Sequence, residues 1–320
     1  MQPEFSSTTR RNFLKSTAAA LSIPGAGLTA RADEPAKPPV VDTHMHVWAA
    51  DLEKFPFARK MTPPKIPATV ELLNEEMDEF GIDYCVLVQV IYHGWDNRYV
   101  AECIKRFPQR FRGHGLIDPE DPKVADKLDY WMREHQFAGM RFSPVYYRGK
   151  DDWLNARSRD VLWEKAAELG AIFNMFIASE QLPKLEEMIA RHPTVPVVID
   201  HLANTDFTVA DPMAEFGKLL RLAKYPRVYC KVSELNIRSP SKKFPYKDLW
   251  PYVERMYDTF GPDRLMWGTG FPGATRAQDR RPPLTEELAL IREEIPFFSD
   301  EDRNKILGIN AAKLWKFGNA

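Results

Sequence analysis

The chain has 320 residues, 44% of them hydrophobic and 28% charged, with a formal net charge of −1. That balance excludes collagen-like, coiled-coil and largely disordered chains, and it suits one large soluble domain or two small ones, long enough to bury a full core without disulfides. The three cysteines, Cys85, Cys103 and Cys230, show no CxxC spacing and lie in apolar runs, which points to free buried thiols rather than a disulfide framework or a zinc knuckle.

Residues 1–32 read as an export signal. Arg10 and Arg11 open the run Arg-Arg-Asn-Phe-Leu-Lys, a weakly apolar stretch covers 16–29, and Ala30-Arg31-Ala32 supplies a small-residue cleavage site. Adjacent arginines in this setting are of the twin-arginine type. The stretch is too short to span a bilayer, which takes about 20 apolar residues. Cleavage removes Arg10, Arg11, Lys15 and Arg31 but a single acid, Glu4, so the mature chain, 33–320, is more acidic than its precursor. Without a basic stripe it predicts a small-molecule ligand rather than nucleic acid. The expected location is periplasmic. Twin-arginine export carries folded cargo, so a cofactor loaded before export is permitted. The oligomeric state, a homodimer included, is left open.

From residue 40 onward, short β-branched or apolar runs alternate with longer amphipathic stretches. Strands are predicted at 40–46, 84–90, 111–117, 138–142, 171–177, 195–200, 228–232 and 264–268. Helical patterns fall at 69–80, 123–135, 182–191, 212–223 and 249–260, with a closing helix over about 300–315. Gly81, Pro108, Gly170, Pro193, Pro226 and Gly261 mark the helix stops. Eight βα units fit a distorted (β/α)8 TIM barrel with a C-terminal helix better than an open doubly wound sheet. The absence of GxGxxG and GxxxxGK[ST] removes the main support for a nucleotide-binding α/β fold. Two stretches exceed a minimal barrel: 48–68, with four prolines, Phe55 and Phe57, and 237–250, rich in Lys, Ser and Pro. Both leave strand C-termini, where barrel active sites lie, and are candidate lids or substrate walls.

The main chemical feature is Val41-Asp-Thr-His44-Met-His46-Val-Trp48. Residues i and i+2 of a strand share a face, so His44 and His46 are expected to point into the barrel mouth together. Two neutral imidazoles so placed suit a divalent cation such as Zn2+.

This opening, Gly139-Met-Arg141-Phe, Val198-Ile-Asp-His-Leu202, Cys230-Lys-Val-Ser and Met266-Trp-Gly-Thr-Gly-Phe-Pro272 together resemble the amidohydrolase-related branch of the amidohydrolase superfamily. The resemblance covers about residues 40–315. It implies kinship with lactone hydrolases acting on pyrone-dicarboxylate and sugar lactones, with nonoxidative aromatic decarboxylases as cousins. It also implies that His44, His46 and His201 face one cavity as catalytic groups or metal ligands. The family's strand-eight aspartate is absent, because Gly270 occupies its position.

Three routes then remain open. Glu234, after Cys-Lys-Val-Ser, could serve as the base in place of the lost acid. One divalent metal could be held by His44, His46 and His201 alone, or the chemistry could be metal-free. Strand five offers Asn174 and neither Lys nor His, so at most one metal is expected. In the third route binding persists without catalysis. Arg141 is the candidate grip for a substrate carboxylate, and Gln89, Trp48 and Tyr146 are candidate substrate contacts. Tyr147, His93 and Trp95 lie near them in sequence. Asp200 is expected to point away from the cavity, because strand neighbours alternate. His114, His135 and His192 are read as structural. The leading expectation is a hydrolase opening a lactone or related acyl bond of a small carboxylated or polyhydroxylated compound. A decarboxylase of aromatic acids and a non-catalytic binding protein are the alternatives.

Overall fold

Eight short apolar runs become eight parallel strands, each hydrogen-bonded to its sequence neighbour in the order β1 to β8. In a computed structural model that describes residues 37–58, 67–270 and 282–318, these are β1 Val41–Met45, β2 Tyr84–Val88, β3 Phe111–Leu116, β4 Gly139–Phe142, β5 Ile172–Met175, β6 Val197–Ile199, β7 Val228–Val232 and β8 Leu265–Trp267. Each lies inside its predicted window. The helices between them are α1 Val70–Phe80, α2 Arg98–Arg106, α3 Val124–His135, α4 Asp160–Leu169, α5 Leu182–Arg191, α6 Pro212–Leu220, the short α7 Leu235–Arg238 and α8 Trp250–Phe260. This is the expected (β/α)8 barrel. Its compact unit begins at Pro38, and the segment read as an export signal lies outside the described residues. Among those residues no helix is long and apolar enough to cross a membrane. All three cysteines are free and buried.

The seam between β8 and β1 is drawn together by a few bonds rather than a regular ladder. The Gly270 N–H donates to the His44 carbonyl at 2.5 Å, and the Thr43 hydroxyl donates to the Trp267 carbonyl at 2.5 Å. Asp42 completes the seam. It accepts from the Thr269 N–H at 3.1 Å and hydroxyl at 2.5 Å, and from the His44 N–H at 2.9 Å. A buried carboxylate is tolerated here because backbone and hydroxyl donors satisfy it.

The barrel floor is apolar. Val41, Val86, Val88, Val198 and Met266 pack with Trp315 and Phe317 from the end of the chain. The Trp315 indole N–H donates to His114 Nε2 at 2.8 Å, inside the barrel. Burial holds that imidazole neutral, its pKa lowered to about 3. The closing helical run reaches this floor through Asp300–Asn304, a wider turn over Lys305–Ile309 and Asn310–Trp315. In that turn Gly308 meets the chain entering β1, where an added Cβ would fall 1.7 Å from the Pro39 carbonyl oxygen. A side chain there would push the helix off the barrel.

Trp315→Ala is expected to lower unfolding stability by about 3–5 kcal/mol, because it empties the floor and leaves His114 Nε2 without its donor. Denaturant unfolding at neutral pH reads the loss.

Candidate active site at the barrel mouth

A bulge decides which residues of β1 face inward. Asp42 pairs with Cys85 but Met45 pairs with Leu87, so three steps on β1 oppose two on β2. The extra residue reverses the alternation within the strand. Val41 can then join the apolar floor while His44 and His46 meet at the mouth, their ring centroids 4.9 Å apart. His201 joins them, 4.5 Å from His44. The three imidazoles, carried on two distant stretches of chain, converge; His46 and His201 line the cavity at the mouth, whereas His44, expected to face it too, is not among its lining residues.

Asp200 departs from expectation. It is fully buried within the histidine cluster, not turned away from it. Strand alternation ends at Asp200, because His201, Leu202, Ala203 and Asn204 all take left-handed backbone angles, with φ between 45 and 54°. That turn presents two successive side chains to one site. The carboxylate of the cluster therefore comes from the end of β6. Gly270, where the resemblance leads one to expect an aspartate, has φ 105°, a conformation open to glycine and strained for a side chain.

Asp200 has a counter-ion that sequence reasoning did not single out. Lys231 of β7 is fully buried, with Nζ 3.0 Å from Asp200 Oδ1, 2.9 Å from the Thr43 carbonyl and 3.0 Å from His44 Nδ1. Asn174 of β5 donates to Asp200 Oδ1 at 3.0 Å, and Arg141 of β4 places Nε 3.5 Å from Oδ2. Burial alone would raise the Asp200 pKa, but the charges of Lys231, His201 and Arg141 outweigh it, and the carboxyl stays below its ordinary value. Burial lowers the Lys231 pKa, and Asp200 opposes that shift. Burial, then Lys231, holds His44 well below the usual imidazole value. His44 Nδ1 also lies 3.3 Å from Asp200 Oδ1. In a neutral ring beside an ammonium, however, Nδ1 acts as the acceptor and the proton sits on Nε2.

The other rings are oriented by partners behind them. His46 Nδ1 lies 2.7 Å from the Val88 carbonyl, which can only accept, so this nitrogen carries the proton and the opposite one has the lone pair in the neutral ring. His201 Nδ1 is 2.8 Å from the Ser233 hydroxyl, and its Nε2 is 3.8 Å from Glu234 Oε1. Glu234 is held at φ 54° where β7 gives way to α7. His46, Arg141, His201 and Glu234 together line a cavity of about 410 Å³.

The remaining predicted contacts separate. Tyr146 lines this cavity and is exposed. Gln89 is buried and committed to backbone: it donates to the Asp96 carbonyl at 2.5 Å and accepts from the Val90 N–H at 3.0 Å. It braces the loop after β2 and is not among the cavity-lining residues. Trp48 packs on Tyr92, with centroids 5.5 Å apart, and bridges to Ala68. It is not among the cavity-lining residues but packs behind two that are, Val90 and Tyr92. His93 lies against Phe57 and the Pro56 carbonyl, tethering the loop after β1. No described residue of 237–250 lines the cavity. The loops after β2 and β4 supply most of its walls, with Ala58 from the loop after β1, Ile117 and Pro119 after β3 and Phe176 after β5.

His44, Asp200 and His201 each offer one ligand atom within 4.8 Å of the others, so this group could hold a metal ion. The donor set of two imidazoles and a carboxylate suits a zinc-like cation, and Asp200 Oδ2 is buried without a hydrogen-bond partner.

Comparison with known proteins places this geometry in context. A family model described as Amidohydrolase matches residues 41–317. The chain is 29% identical over 284 residues to a 4-sulfomuconolactone hydrolase of Hydrogenophaga intermedia, covering 86% of this chain and 88% of that one. It is 29% identical over 246 residues to a 2-pyrone-4,6-dicarboxylate hydrolase of Comamonas testosteroni, covering 72% and 76%. Among solved structures, a probable 2-pyrone-4,6-dicarboxylic acid hydrolase from Acinetobacter baumannii with citric acid bound superposes with a TM-score of 0.73 at 19% identity, covering 87% of this chain and 99% of that one.

Lys231→Met, which keeps the bulk and removes the charge, is expected to cost about 3–5 kcal/mol by leaving Asp200 buried without its main counter-ion. The double variant Lys231→Met/Asp200→Leu should recover a large part of that loss. Chemical denaturation of the three proteins measures it.

Proposed function

We propose that this chain, which belongs to the amidohydrolase family, is a hydrolase that opens a lactone or a related acyl bond of a small anionic compound. The observation that carries the reading is the convergence of three imidazoles, a guanidinium and a carboxylate at the barrel mouth. The lactone-hydrolase relatives support it.

Each residue takes a role its surroundings allow. Arg141 is buried, and its guanidinium lies 4.5 Å from the Phe176 ring. Its terminal nitrogens form a planar fork for a substrate carboxylate. Glu234 accepts the proton of the attacking water. With the Ser233 hydroxyl donating to Nδ1, His201 presents an Nε2–H to the carbonyl oxygen, where negative charge develops. Water oxygen bonds to the carbonyl carbon, the ring C–O bond breaks, and the released ring oxygen takes the proton from Glu234. The product is a hydroxy acid or its tautomer. His44, Asp200 and His201 are the residues that would hold a divalent ion; such an ion would supply Lewis-acid polarisation of the carbonyl in place of the His201 N–H, which that ring gives up as a ligand. Lys231 and Asp200 act through His44 by fixing its position and charge.

The test is acid release from a panel of carboxylated lactones, 2-pyrone-4,6-dicarboxylate and L-fucono-1,5-lactone among them. Ring opening is expected, and Glu234→Gln should lose on the order of 10²-fold in kcat with an unchanged unfolding midpoint. Near-normal turnover in Glu234→Gln removes that residue as base. Carbon dioxide release from aromatic acids with no lactone opening contradicts the hydrolase reading.

A further inference from the structure

We infer that the compound taken by this site carries a flat apolar group, an aromatic ring or conjugated chain, attached to the anionic acyl end, and is not a polyhydroxylated sugar lactone. This rests on the acyl-hydrolase reading above and specifies its substrate class.

The cavity is graded from polar to apolar. Its polar groups, His46, Arg141, His201 and Glu234, come from residues at or just beyond strand ends. The rest is apolar and rich in rings: the loop after β2 gives Tyr92 and Trp95, the loop after β4 gives Tyr146, Tyr147 and Trp153, and Phe142 and Phe176 come from the ends of β4 and β5. Two aromatic tracks lead outward from the polar end. In one, His201 meets Phe176 with centroids 5.7 Å apart, and Phe176 meets Tyr146 at 5.6 Å. In the other, Phe142 meets Trp153 at 6.4 Å, and Trp153 meets Tyr147 at 6.3 Å. Trp95 joins the lining at the rim, with 47% of its surface exposed, beside Tyr146 at 57%. Large aromatics left half in water around a concave site mark a surface that awaits an apolar partner.

Such walls discriminate between the two kinds of lactone that the sequence left open. Each hydroxyl of a sugar lactone gives up hydrogen bonds to water on entry and needs a new partner. Beyond the polar end, the side chains of the described walls offer the tyrosine hydroxyls, Ser143 and the indole N–H groups of Trp95 and Trp153, most of them donors on otherwise apolar rings. A planar ring needs none, and it stacks on aromatic side chains with a gain beyond its buried area. The volume of about 410 Å³ falls in the range of sites that enclose drug-sized ligands, leaving room for a ring beyond the reacting ester. Among the described lining residues, Arg141 is the one permanent cation, so the substrate is expected to present its anionic group at the polar end and its flat apolar part to Tyr147, Trp153 and Trp95.

Two measurements separate this inference from the reading beneath it. The first is calorimetric binding of 2-naphthoate, which has the ring and the carboxylate but no bond to cleave. Saturable binding is expected, weakened about fivefold or more in Trp95→Ala, an exposed position where truncation leaves the core intact. The second is hydrolysis of coumarin-3-carboxylate, a flat aryl lactone, against L-fucono-1,5-lactone, with kcat/KM expected at least tenfold higher for the aryl compound. No naphthoate binding, equal binding in Trp95→Ala, or preference for the sugar lactone overturns the inference. Naphthoate binding that depends on Trp95 with no lactone opened supports the aromatic-ligand inference and defeats the hydrolase reading. Opening of both lactones with the sugar preferred does the reverse.

Discussion

The ion pair between Asp200 and Lys231 lies inside the barrel with both partners fully buried, and the arrangement of the site follows from it. Desolvating two charges costs several kcal/mol for each ion, and their mutual attraction recovers that cost only when further hydrogen bonds complete the shells. Here Asn174 donates to Asp200 Oδ1 and the Thr43 carbonyl accepts from Lys231, while Oδ2 has only the Arg141 charge 3.5 Å away. The pair therefore connects β5, the end of β6, β7 and β1 through the side chains of Asn174, Asp200, Lys231 and His44 and the Thr43 carbonyl. It also fixes the chemistry of His44, which stays neutral beside an ammonium and keeps its Nδ1 turned toward Lys231. Replacing one partner disturbs the positions of several groups around the mouth, which separates this pair from a surface salt bridge of similar length.

With that interior held rigid, the three imidazoles differ in protonation through their hydrogen-bond partners. His46 gives its Nδ1 proton to the Val88 carbonyl, His44 accepts from Lys231, and His201 shares a bond with Ser233. Three chemically identical side chains thereby become a lone-pair donor, a neutral proton carrier and a ring poised beside Glu234. Differentiation of this kind allows a single cup to bind an anion, orient water and stabilise a developing oxyanion without a conformational rearrangement.

Much of this was legible from residues alone. Alternation of short apolar runs with amphipathic stretches yields the eight strands, and the HxH spacing at the end of the first yields the inward pair. The pair faces inward together with a floor residue, Val41, only because β1 contains a bulge, and no residue in Val41-Asp-Thr-His44 announces one. Asp200 was misplaced because alternation assumes extended backbone, and the chain turns left-handed at His201. Lys231 carried a usable signal: a lysine inside an apolar run of a parallel barrel strand has no route to water and must find a buried acid. Gln89 and Trp48 were read as ligand contacts because polar and aromatic residues beyond strand ends often are. Their surroundings use them to brace loops instead. The aromatic walls are the least legible part, since Phe142 and Phe176 come from the ends of β4 and β5 and meet Tyr147 and Trp153 of the loop after β4 only in the folded barrel.

The central claim is that water adds to an acyl carbon at this mouth. Turnover of any accepted lactone in ¹⁸O-enriched water, with mass analysis of the product, addresses it directly. The account predicts one ¹⁸O atom per turnover, located in the newly formed carboxylate, with the original ring oxygen retained as the hydroxyl or carbonyl. A label at the carbon that bore the ring oxygen, or a product formed by loss of carbon dioxide without uptake of label, would contradict it.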